Sequence, residues 1–418
     1  MTPFRAPSRR GPLLLILFAA LMAGAGNGIS IVAFPWLVLQ RNGSALDASI
    51  VAMAGTLPLL AATLLAGAAV DFLGRRRVSM ISDALSALSV AAVPVLALVF
   101  GADVVNVGVL AALAALGAFF DPAGMTARET MLPEAATRAG WTLDRANSVF
   151  EAVFNLAYIV GPGIGGLLIA TLGGIDTMWV TAGAFVLSIL AIGALQLEGA
   201  DRPDPAALTD GVWAGIVEGL RFVWDNKVLR TLAVIDLAAT GLYMPMESVL
   251  FPKYFTDRDE PAQLGWVLMA LSVGGLAGAL GYAVMSRYLR RRTVMLTAVL
   301  TLGVVMTVIA FLPPLPVILV LSAIVGFVYG PIAPIYNYAM QTRAPQRLRG
   351  RVVGVMGSLA YAAGPLGLIL AGPLADAAGL HVTFLALSLP MLALGVVAVF
   401  LPALRDLDLD PRPDSGVG

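Results

Sequence analysis

The chain has 418 residues, 59% of them apolar and 12% charged, with a mean hydropathy of +0.88. Soluble domains carry about 25% charged residues, so a soluble fold of this length could not cover its surface, and the chain reads as a membrane protein. Lys+Arg and Asp+Glu both total 26, which leaves no basic footprint for nucleic acid. With no cysteine, one histidine (His381) and two lysines (Lys227 and Lys253, neither after a glycine), the sequence implies no disulfide framework, metal centre, Ser-His-Asp triad, phosphate loop or cofactor, and no enzyme.

The tail Met1 to Gly11, with Arg5, Arg9 and Arg10, precedes an apolar stretch from Pro12 to Leu39. That stretch is too long for a signal-peptide core and is read as the first span. Further runs lie near Ala48 to Val70, Val78 to Phe100, Val104 to Ala127, Ala146 to Leu172, Asp176 to Leu197, Val228 to Phe251, Gln263 to Met285, Thr293 to Leu312, Leu315 to Met340, Val352 to Ala375 and Val382 to Leu404. Each has about 20 residues or more, enough to cross roughly 30 Å of hydrocarbon as a helix. The predicted fold class is an all-α membrane protein of twelve transmembrane helices. With the N-terminus inside, 23 of the 26 basic residues fall on inner segments, and only Arg41, Lys253 and Arg258 fall outside. The asymmetry predicts that both termini are cytoplasmic.

The longest break is predicted to be a cytoplasmic linker, 198–227. It opens on Gly199-Ala-Asp-Arg-Pro-Asp-Pro and continues with Trp213, Ile216, Val217, Leu220 and Val223 or Trp224 at helical spacing, as an amphipathic helix on the inner surface would. It separates a six-helix bundle, 1–197, from a second, 228–404, and an acidic tail, 405–418, is predicted to be disordered. The bundles share landmarks in the same order: Arg75-Arg76-Arg77 and Arg290-Arg291-Arg292, Gly117 to Pro122 and Gly326 to Pro331, Gly161-Pro162 and Gly364-Pro365. This order is the signature of an internal repeat.

Polar residues inside the spans point to a cavity. In span seven Asp236, Thr240, Tyr243 and Glu247 fall at i, i+4, i+7 and i+11, one helical face that lipid cannot tolerate. Glu151, Asn155 and Tyr158 repeat the pattern in span five. Span ten offers Tyr329, Tyr336, Asn337 and Met340, and span one offers Asn27, Phe34 and Trp36. Together they describe an aromatic and amide cavity with a few carboxylates, suited to a partly apolar ligand. Read blandly, Asn155 and Thr240 are interhelical hydrogen-bond glue, whereas intramembrane carboxylates are functional by default. With no basic residue read inside any span, Asp236 is the leading candidate to carry a proton, with Glu247 and Glu151 as alternates. Asp121 is expected about 10 Å from the inner end of span four, with Arg75 as its partner. Asp83 is expected to reach the interface or Arg76.

Gly67-Ala-Ala-Val-Asp71-Phe-Leu-Gly74-Arg75-Arg76-Arg77 resembles the loop signature of the major facilitator superfamily, with Phe72 where that family usually has Arg. Gly161-Pro162-Gly163-Ile164-Gly165-Gly166 resembles its span-five antiporter motif. Asp121-Pro122-Ala123, Leu132-Pro133, Gln341 to Pro345 and Leu348 to Val352 resemble the drug/proton antiporter branch that contains macrolide efflux and enterobactin export proteins. The resemblance implies gradient-driven export of a small, often lipophilic molecule by alternating access, coupled to protons, from a monomer in the cell membrane. It implies that Gly67, Asp71, Gly74, Arg75 and Asp121 form an inner latch, Asp71 lying where the dipole at the N-terminus of span eleven would stabilise it. That branch often has an acid in span one where this chain has Asn27, which cannot take up a proton. Lipid or lysophospholipid movement, and a non-transporting scaffold or sensor of the same fold, are the alternative readings.

Overall fold

The computed structural model describes residues 10–197, 212–286, 288–345 and 348–408; the side chains of Asp71, Asn155 and Tyr158 and the contacts of Gly67 lie outside the described residues. Among the described residues the chain is helical, without strands. The helices are α1 (Gly11–Asn42), α2 (Ala45–Ala54), α3 (Leu57–Leu73), α4 (Arg75–Phe100), α5 (Val107–Ala139), α6 (Leu143–Leu172), α7 (Gly174–Gly193), α8 (Val212–Asp225), α9 (Lys227–Pro245), α10 (Phe251–Thr256), α11 (Pro261–Met285), α12 (Arg291–Ile309), α13 (Leu315–Tyr329), α14 (Ile332–Arg343), α15 (Arg349–Ala378) and α16 (Leu380–Phe400). Among the described residues eleven segments are long and apolar enough to cross a membrane, and α6, with its apolar end Val160–Leu172, makes the twelfth.

Local chemistry sets the ends and breaks. Asn106, Thr142 and Asn226 cap α5, α6 and α9, their side chains accepting from Val109, Arg145, and both Val228 and Leu229 backbone N–H groups. Gly74 turns α3 into α4 at φ +84°, which a residue with a Cβ rarely adopts. Three spans are interrupted near prolines, which cannot donate to the helical ladder. The second breaks ahead of Pro58, the seventh passes after Pro245 into a π-helical turn, Met246–Leu250, and the tenth breaks at Gly330-Pro331.

The chain forms two compact units, one of Met1–Gly43, Ile50–Thr209 and Phe255–Gly265, the other of Ser44–Ser49, Asp210–Tyr254 and Trp266–Gly418. In the first, α1 is central and packs on α5, α6 and α7. Gly161 and Gly165 let α6 approach Gly28 and Ile29 of α1: a Cβ at Gly161 would lie 2.7 Å from the Gly28 Cα. A stripe of Ser82, Ser86 and Ser89 on α4 fits against Gly117 and Gly124 of α5, and Ser82 donates to the Phe120 carbonyl at 2.8 Å. In the second unit α11 and α13 cross through two small-residue pairs, Gly274 with Gly278 and Gly326 with Gly330, where any added Cβ would fall on a facing backbone carbonyl.

On α8, Val217, Leu220 and Trp224 leave an apolar face exposed, while Val223 is buried. The acidic tail needs a correction: Pro402–Leu404 and Asp406–Asp408 form two 3-10 turns, because Leu404 and Leu407 are fully buried and Arg343 donates to the Asp406 carbonyl. Residues 409–418 of the predicted disordered segment lie outside the described residues.

Candidate functional site

In the second unit α9 carries Asp236, Thr240 and Tyr243, and the π-helical turn that follows it carries Glu247. Asp236, Thr240, Tyr243 and Glu247 are all half-buried. Tyr243 stacks on Tyr329 of α13, ring centroids 6.3 Å apart and planes at 22°, and Glu247 lies within hydrogen-bonding reach of Tyr243, as Thr240 does of Tyr329. Glu247 sits in the π-helical turn behind Pro245, a local irregularity that is frequent at functional sites. Asp236 makes no hydrogen bond or ion pair among the described residues and has Tyr329 and Tyr336 as its aromatic neighbours. A carboxyl group so placed must meet water, a cation or a proton, because lipid and protein interior solvate a bare charge poorly.

Other candidates separate by environment. Tyr329 and Asn337 are exposed, whereas Tyr336 is buried with its hydroxyl donating to the Leu232 carbonyl at 2.9 Å, a tie from α14 to α9 in place of the expected open cavity position. Met340 is also buried. Phe34 and Trp36 are buried, at 6% and 2% exposure, with Gly174 of α7 fitted against Trp36 and Leu37.

The largest correction lies in α5. The span does not end at Ala127: the helix continues to Ala139 and carries Arg128 into the core of the first unit, fully buried. Arg128 Nη1 donates to both oxygens of Asp83, at 3.0 and 2.8 Å, and Ser188 Oγ of α7 lies 2.6 Å from Asp83 Oδ2. A basic residue therefore does occur within a span. Asp83 is not at the interface, nor does it meet Arg76, which donates to the Gly193 carbonyl. Arg75 does not meet Asp121; it donates to the Thr130 carbonyl at 3.2 Å. Asp121 instead accepts from the Asn27 amide at 2.6 Å. Glu151 is exposed on α6 with Glu129 of α5 nearby, a half-buried acid just beyond the span end expected at Ala127.

Twelve spans, an aromatic and carboxylate face on α9 and close glycine packing of α6 on α1 frame the comparison with known proteins. The family model "Major Facilitator Superfamily" matches residues 16–367 and 248–416. The chain belongs to the Major Facilitator Superfamily. It is 84% identical to the multidrug efflux pump Tap of Mycolicibacterium fortuitum, over 97% of this chain and 99% of that protein. It is 23% identical to macrolide efflux protein A of Streptococcus pyogenes, over 92% and 96% of the two chains. The fold superposes on the crystal structure of the nucleoside transporter NupG with a TM-score of 0.71 at 13% identity, over 94% of this chain and 98% of that one. Superfamily membership makes this a multi-pass membrane transporter of small molecules.

Proposed function

We propose that the chain exports small hydrophobic or amphipathic molecules, such as drugs, antibiotics or secreted metabolites, by alternating access coupled to proton influx. The observation that carries the coupling is Asp236: a carboxyl group on the half-buried face of α9, bounded by tyrosines and without an ion-pair partner among the described residues. Such a group can bind a proton on one side and release it on the other when access alternates. Glu247 and Glu151 are the alternates, and Tyr243 and Tyr329 offer rings against which an apolar substrate can pack. The 84% identity to a protein named as a multidrug efflux pump supports the export reading. Gly161, Pro162, Gly165 and Gly166 support antiport, and Gly67, Asp71, Gly74 and Arg75 support an inner gate, through the motifs they resemble.

The same reading places a monomer in the cell membrane with both termini cytoplasmic, an orientation that the basic residues support even with Arg128 removed from the inner count. The test is purified protein in liposomes, given an imposed pH gradient and a panel of lipophilic compounds. Gradient-dependent accumulation of at least one is expected. A protein that moves none of them, with or without the gradient, contradicts the proposal.

A further inference from the structure

Asn27 lies 16 residues after the start of α1 and 15 before its end, and Asp121 lies 14 residues into α5 with 18 to follow. At 1.5 Å per residue each is about 20 Å or more from both ends of its helix, so the pair joins the middles of two spans rather than lying at the inner surface. Transporters of this architecture bind their cargo near the bilayer midplane. Both residues are half-buried, and the Asn27 amide nitrogen donates to Asp121 Oδ1 at 2.6 Å. No hydrogen bond is made to Oδ2 among the described residues.

Among the described residues no cation is bonded to Asp121. Of its two charged neighbours, Arg128 is bonded through Nη1 to both oxygens of Asp83, which offsets most of its attraction for Asp121. Arg75 is turned to the Thr130 carbonyl. A carboxylate at midspan without a protein cation is costly and marks a functional position. Asn27 fixes Oδ1 without exchanging a proton, and Oδ2 remains as an acceptor.

We propose that Asn27 and Asp121 form the recognition point for a cationic nitrogen or phosphonium centre on the transported molecule, Asn27 positioning the carboxylate and Asp121 supplying the charge. This rests on the export reading above and narrows its substrates to amphipathic cations at this site. Its counterpart on α9, Asp236, belongs to proton movement, so the two carboxyl groups serve different ions.

The test is equilibrium binding of tetraphenylphosphonium, a permanent cation, and of uncharged triphenylphosphine oxide to the full-length protein in lipid nanodiscs. Asp121→Asn keeps the size and the contact with Asn27 but removes the charge, and its thermal unfolding is compared with wild type. Affinity for the cation is expected to fall about tenfold or more, equivalent to ~1.4 kcal/mol. Affinity for the neutral probe is expected to stay within about twofold of wild type, and Asp121→Glu should retain most of the cation binding. Equal affinity of wild type and Asp121→Asn for tetraphenylphosphonium, an equal loss for both probes, or no binding of the cation by wild type would overturn the assignment. Liposome export by wild type alongside any of those results leaves the export reading standing and removes only this site.

Discussion

Arg128 and Asp83 form an ion pair inside the first unit, one guanidinium nitrogen, Nη1, reaching both carboxylate oxygens, with the guanidinium fully buried and the carboxylate 1% exposed. Helices α4 and α5 meet here, and Ser188 of α7 bridges from Asp83 towards the Ala19 carbonyl of α1. Four helices of the unit thus share one polar knot. Removing one charge would leave the other uncompensated, which costs about 3–5 kcal/mol in a protein interior, whereas replacing both with apolar residues is often neutral. Arg128→Met should therefore lower the thermal unfolding midpoint sharply, and Arg128→Met with Asp83→Leu should recover much of the loss. Calorimetry or light-scattering melts in detergent will show it; a single variant as stable as wild type would refute a structural role for the pair.

Asp376 of α15 holds the first turn of α2. Its oxygens accept from the Ala45 and Leu46 backbone N–H groups, each at 2.9 Å, and from Ser44 Oγ at 3.1 Å. Residues Ser44–Ser49 belong to the second compact unit, while α2 continues into the first. Orphan amides at a helix start are worth about 0.5–2 kcal/mol when capped. Asp376→Ala should therefore speed hydrogen exchange at Ala45 and Leu46 several-fold, with little effect in α12 or α16. Unchanged exchange at those two amides would show that the cap is not sustained in solution.

Glycine positions divide into those that touch a facing helix and those that do not. Gly326→Ala would set a methyl group against the Leu271 carbonyl across the α11–α13 crossing, and overpacking of this kind typically costs about 1–3 kcal/mol. Gly183→Ala meets no atom within 4 Å and should be neutral or slightly stabilising, as helical Ala is favoured over Gly by ~1 kcal/mol. Folded yield after size-exclusion chromatography should fall for the first variant and hold for the second.

The absence of native cysteine makes topology directly measurable. A single cysteine at Asp257, just beyond α10, should react with an impermeant maleimide in intact cells, and one at Tyr288, which is 82% exposed after α11, should react only after permeabilisation. The reverse pattern would invert the orientation drawn from the basic residues.

The spans were legible because lipid forces long apolar runs, and the polar face of α9 was legible because Asp236, Thr240 and Tyr243 share one helix and one period. What escaped the sequence joins distant positions. Asp83 and Arg128 are 45 residues apart and Asn27 and Asp121 are 94 apart, and nothing local signals either pairing. Arg128 was also hidden by its neighbours: the first charges after Ala127 read as the end of a span, yet a charge matched by a partner can lie deep in the helix. Phe34 and Trp36, both buried, show a further ambiguity, since an aromatic residue in a span lines a cavity or fills a core with the same sequence pattern. The π-helical turn after Pro245 changes the register just where Glu247 stands, which helical periodicity alone does not foresee.

The central claim, proton-coupled export with Asp236 as the carrier, is tested most directly by comparing wild type and Asp236→Asn in liposomes. Uphill accumulation driven by a pH gradient is measured beside downhill exchange without one. Asn cannot bind and release a proton, so the variant is expected to lose gradient-driven accumulation while downhill exchange continues within about threefold of wild type. A variant that still concentrates substrate at the wild-type rate would contradict the account and leave the polar face of α9 to substrate binding or packing alone.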